Sequence, residues 1–184
     1  MLQIWALASE IGVELKTHMK AIILILLIGG QILGLIFRPQ AKIRKDDIQI
    51  LIGAQWTGVL SYRDYRSNTR VSIPANLMVT PNGEDKWSWV FDYQYPDEPQ
   101  ANSKNIVRLT KDGKSLDGEA AIERTKLSDG TVILVTEKNG QDNNRSAYFR
   151  LTYKINSKEF TVKKEVRYED ESRFFERNEF SWKR

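Results

Sequence analysis

Beyond Trp56 this chain alternates with a period of two. Trp87, Trp89, Phe91, Tyr93 and Tyr95 share one parity, while Ser88, Val90, Asp92 and Gln94 hold the other. Only an extended strand puts such a set on one face. Val71, Ile73, Ala75, Leu77 and Val79 repeat the pattern, with Pro74 on the opposite parity, which predicts an edge or a bulge there. Ala147, Phe149, Leu151, Tyr153 and Ile155 follow it, as do Phe160, Val162, Val166 and Tyr168. Phe174, Phe180 and Trp182 share one parity near the end. Asn82-Gly83, Asp112-Gly113, Asp129-Gly130 and Asn139-Gly140 supply the positive φ angles that tight hairpins need.

After Gln55 no segment is long and periodic enough for a major helix. Asp46-Asp47 ahead of Ile48 predicts one short helical turn before the first strand, with acids at its N-terminus. The pattern predicts an all-β domain over residues 46–184, an antiparallel up-and-down barrel of about 8–10 strands. Closure protects the edges of such a meander. A two-sheet sandwich is the alternative.

The only histidine is His18, and there is no cysteine. The strand-rich part therefore lacks imidazole and thiol. That excludes Ser-His and Cys-His nucleophiles and zinc sites built on those ligands. No P-loop, dinucleotide glycine pattern or G-x-S-x-G elbow occurs. Paired carboxylates remain, with Asp64, Asp92, Glu123, Glu137, Glu165 and Glu176 available, but no recognisable acid motif. Asp142-Asn143-Asn144 reads as a polar hairpin rather than a calcium site. The expectation is a protein that is not an enzyme, with no cofactor and no metal. Lys and Arg number 28 against 24 acids, a net charge of +4. Both signs are interspersed along the strands, so nucleic acid is not an expected partner.

Residues 1–41 form a leader. Within it, residues 21–37 carry no charge and would span about 25 Å as a helix, against about 30 Å of bilayer hydrocarbon. Met19-Lys20 just before that run resembles a signal-peptide start, with Met19 as the initiator. The rival reading takes Leu2, Trp5, Leu7, Ile11 and Leu15 as an amphipathic lead-in. Basic residues on both sides, Lys16 and Lys20 before and Arg38, Lys42, Arg44 and Lys45 after, leave orientation open. Export to the periplasm or the exterior is expected, or anchoring through 21–37 with membrane contact if the run is uncleaved.

The entry into the strands carries a family resemblance. Asp47-Ile48 leads to Leu51-Ile52-Gly53 and then to Trp56-Thr57-Gly58. A helical turn, a glycine and a tryptophan on the first strand resemble the start of a lipocalin-like barrel in the calycin superfamily. Here the glycine-to-tryptophan spacing is one residue longer than the family's G-x-W. The resemblance implies a basic residue over the tryptophan, for which Arg177 and Lys183 are candidates. It also implies a small, largely apolar ligand. Histidine-ligated haem of the nitrobindin kind is excluded, because the domain has no histidine.

The candidate ligand-binding residues are Trp87, Trp89, Phe91 and Tyr93 as an apolar wall, with Tyr62 and Arg63 orienting a polar end. The same stripe also fits a filled barrel acting as a cell-envelope module. On an open sandwich it would fit a sugar-stacking face. Glu176 and Asn178 share parity with Phe180, so one or both are expected to point inward.

Overall fold

The computed structural model describes residues 41–64, 67 and 69–184. Residues 1–40 of the leader, with its apolar run 21–37 and Met19, lie outside them, as do Tyr65, Arg66 and Asn68. Among the described residues no helix is long and apolar enough to cross a membrane.

One helical turn, α1 (Lys45–Gln49), precedes eleven strands. They are β1 (Gln55–Arg63), β2 (Arg70–Pro74), β3 (Asn76–Asn82), β4 (Asp85–Gln94), β5 (Ser103–Arg108), β6 (Ser115–Leu116), β7 (Glu119–Lys126), β8 (Val132–Asp142), β9 (Arg145–Ile155), β10 (Glu159–Tyr168) and β11 (Phe175–Lys183). The described pairs are antiparallel, and the order β5-β4-β3-β1-β11-β10-β9-β8-β7-β6 is a meander closed on itself. β1 pairs β2 along one half and β3 along the other. The break between β2 and β3 falls at Pro74-Ala75, the irregularity the proline predicts. The ring is completed between β5 and β6 by one bridge, Leu109 to Leu116. The fold is thus an all-β, nearly closed barrel, and the sandwich alternative is set aside.

Alternation decides which residues fill the barrel. Trp56, Leu77, Val79, Trp89, Phe91, Leu134, Ile155, Phe160 and Trp182 are buried together. Trp56 meets Phe160 edge-on, and Phe160 stacks on Trp182 with ring centroids 5.1 Å apart. Each indole N–H finds a carbonyl: Trp56 donates to Leu51 at 3.0 Å and Trp182 to Ala75 at 2.8 Å. Gly58 lets this happen, since a Cβ there would lie 2.0 Å from the Ser181 carbonyl oxygen.

α1 forms as the acid pair suggests. The Arg44 N–H donates to the Asp47 carboxylate at 2.8 Å, closing the first turn. Asp47 is also held by Arg124 of β7, through Nε at 2.7 Å and Nη2 at 2.8 Å, which ties the turn to the barrel wall. The cation over Trp56 is Arg184, 4.5 Å from the ring centroid, not Arg177 or Lys183. Arg184 also donates to the carbonyls of Ser157 and Ile50.

Two local expectations change. Asn139-Gly140 is not a turn; it lies inside β8, with Gly140 against the Phe149 ring. The β8–β9 hairpin turns three residues later, where Asn143 (φ 50°) and Asn144 (φ 61°) take left-handed backbone themselves. In β11 a bulge opposite Lys164 and Glu165 inserts Arg177 as an extra residue. It flips the parity, so Phe174 stacks under Arg150 (4.1 Å) and Arg167 (5.3 Å), while Phe175 packs against Tyr168. Asn178 lies opposite Lys164 on the interior parity, and Glu176 turns to Arg70 at 2.6 Å.

Candidate ligand-binding site

A cavity of about 120 Å³ lies inside the barrel beside the β5–β6 seam. Its apolar walls come from α1, the turn after it and the strand interiors: Ile48, Leu51, Phe91, Leu116, Phe160 and Val162. Exposed Asn105 of β5 and Asp117 of the β6–β7 turn also line it, which puts its mouth at the seam rather than at a barrel end.

The polar lining is concentrated on β4, β7 and β9. Glu119 is buried, and both its oxygens are engaged. Thr136 donates to Oε2 at 2.5 Å, and Lys138 approaches Oε1 at 2.9 Å. Tyr153 lies beside Thr136. Burial, with the Glu119 charge behind it, pushes the Tyr153 hydroxyl well above the usual phenol range. Burial does the same to Tyr93, helped by Tyr95 and Asp117. Both phenols therefore stay neutral at physiological pH and can donate. No hydrogen bond to the Tyr93 hydroxyl occurs among the described residues, which leaves it able to meet a guest. The arrangement can hold a compact apolar body and offer hydrogen-bonding groups around it. Among the described residues no group of three acids is placed to hold a metal ion.

The residues singled out from sequence divide. Phe91 and Tyr93 line the cavity. Trp89 is buried in the core away from it, and Trp87 packs on the core while lining an open surface groove with Arg44, Lys111 and Arg124. The stripe faces inward, so it offers no exposed platform for stacking on sugars. Tyr62 is partly buried on the interior parity of β1, opposite Asn178 and Val71, but does not line the cavity. Arg63 is exposed at the end of β1 and pairs in register with Arg70. Asp142 receives the Tyr168 hydroxyl at 2.9 Å and faces Arg177 at 3.3 Å, so those two residues already occupy the carboxylate of the Asp142-Asn143-Asn144 hairpin.

Sequence reasoning missed Glu119, Thr136 and Lys138. Glu119 follows Asp117-Gly118, a turn dipeptide of the same kind as Asp112-Gly113, and a strand opening on a glutamate gives no sign of pointing inward. A scan against protein-family models matches none, and a search of curated proteins finds no match.

Proposed function

We propose that this barrel is a carrier or receptor for a small, largely apolar molecule, acting by binding rather than by catalysis. The observation that supports it is the cavity under Phe91 and Tyr93, with apolar side chains over part of its wall, polar groups over the rest and a phenol left unsatisfied. An engineered apolar cavity of about 150 Å³ admits benzene. A space of about 120 Å³ thus suits a single ring or an equally compact chain. Neutral tyrosines and an internally neutralised Glu119 suit a guest with one hydroxyl or similar polar group.

Toluene and benzyl alcohol are the probes. Each is expected to raise the thermal midpoint in proportion to the logarithm of its concentration, and to shift the NMR signals of Tyr93 and Tyr153. Tyr93→Phe should weaken benzyl alcohol by about three- to tenfold and leave toluene unchanged, as for a lost neutral hydrogen bond. No shift with either probe up to millimolar concentration would remove the reading.

Full burial of Trp56, Trp89 and Trp182 favours a second reading, a filled barrel serving as a cell-envelope module. It predicts no response to either probe. Export or anchoring through residues 21–37 is part of the proposal. Fractionation of the host, with N-terminal sequencing of the purified protein, tests it; an uncleaved chain in the soluble cytoplasmic fraction overturns it.

A further inference from the structure

We propose that a row of interior side chains beside the cavity, Tyr62, Asn178 and Lys164, is an anion subsite that takes the carboxylate of the bound molecule. The proposal rests on the reading of the barrel as a binder of compact apolar guests and adds the guest's chemical class.

The register places the three together. Tyr62 of β1 is opposite Asn178 of β11, and Asn178 is opposite Lys164 of β10. Directly paired residues on one face of antiparallel strands have Cβ atoms about 4.5–5.5 Å apart, so the three form one continuous row. All three are partly buried. Lys164 shares the interior parity with Phe160 and Val166, both buried, and its ammonium rests 4.4 Å from the centroid of the Phe149 ring. Its next partner across the sheet is Leu151, which is itself a wall of the cavity.

Charge balance singles out Lys164. Other cations on or beside the barrel wall have carboxylates: exposed Lys138 has Glu119, and the partly buried Arg124 and Arg177 have Asp47 and Asp142. Among the described residues Lys164 has no carboxylate, only the aromatic face. Neither the Tyr62 hydroxyl nor the Asn178 amide has a hydrogen-bond partner there either. A half-buried ammonium, an amide and a phenol in one row, all with free donors, match a carboxylate's acceptor oxygens. Leu60, Phe180 and Leu151 on the neighbouring interior positions suit the apolar remainder of the guest.

The test compares benzoate with benzyl alcohol, which share a ring and differ in the charged head. Calorimetric titration of the full chain should give benzoate an affinity about tenfold or more above benzyl alcohol, the gain expected of hydrogen bonds to a charged group. Lys164→Met keeps the apolar stem and should abolish that preference while leaving benzyl alcohol unchanged. Lys164→Arg should retain it, and Tyr62→Phe should reduce it. Near-UV circular dichroism of each variant confirms the fold. Benzyl alcohol binding without a benzoate preference, or a preference that survives Lys164→Met, overturns the subsite and leaves the cavity reading standing. Failure of both molecules to bind overturns both.

Discussion

Tyr93 and Tyr153 show how burial inside a barrel turns ordinary side chains into pH-responsive ones. Both hydroxyls are pushed up from the usual value of 10.0, mainly by desolvation. In the unfolded chain they ionise near 10. Above that pH the unfolded state releases protons that the folded state retains, so stability falls as pH rises through and beyond 10. Below it their contribution is fully present. The urea midpoint should therefore drop between pH 9 and 11.5, and Tyr153→Phe should flatten that slope. An unchanged slope in the variant would show that Tyr153 ionises as readily folded as unfolded. Position within the alternation was legible here, since Tyr93 and Tyr153 both sit on the apolar parity. The polar groups around Tyr153 were not. Glu119, Thr136 and Lys138 come from strands whose sequences carry acids, threonines and lysines on both faces, and only register across β7, β8 and β9 brings these three inward.

At the scale of elements, turns and bulges decided what sequence could and could not reveal. Asn82-Gly83, Asp112-Gly113 and Asp129-Gly130 turn where glycine permits it, with Gly83, Gly113 and Gly130 all at positive φ. Gly113 has a second reason, because a Cβ would meet the Ile43 carbonyl oxygen at 2.4 Å. Asn139-Gly140 misled because glycine serves two purposes. At Gly140 it makes room for the Phe149 ring, and the turn passes to two asparagines that tolerate left-handed backbone. Asn144→Gly should then stabilise the β8–β9 hairpin by about 0.5–1 kcal/mol, by relieving positive φ at a residue with a Cβ. Chemical denaturation measures it; a loss of stability would mean the asparagine side chain holds the turn. The bulge at Arg177 was invisible for a different reason. An inserted residue leaves no compositional trace, yet it reverses the parity of everything before it, sending Phe174 outward and Glu176 to Arg70.

For the whole molecule, closure is uneven. β8, β9 and β10 pair along nearly their full lengths, whereas β5 and β6 meet through the Leu109–Leu116 bridge. Residues 103–107 keep one edge without a described partner, and the cavity opens beside them. Local opening needs little free energy where few hydrogen bonds must break. Amide exchange is therefore expected to be fastest for the outward-edge amides of 103–107 and slowest in β9, whose two edges are both paired. Uniform protection around the ring would contradict the seam. The barrel class was readable from alternation and turn spacing. The seam was not, because it reflects strand lengths and the two-residue β6, which no periodicity announces.

The pairing of β1 with β11 has a temporal consequence. One edge of β1 finds β2 and β3 within the next few dozen residues of chain. Its other edge must wait for the final strand, and non-local closure of that kind is slow. While the chain is being made, Trp56 lacks Phe160, and Trp182, which needs Ala75 as an acceptor, does not yet exist. The aromatic interior can therefore assemble only after β11 has been synthesised. β11 acts as the latch of the ring, and a chain shortened before Phe175 would leave its first strand as an open template for other chains.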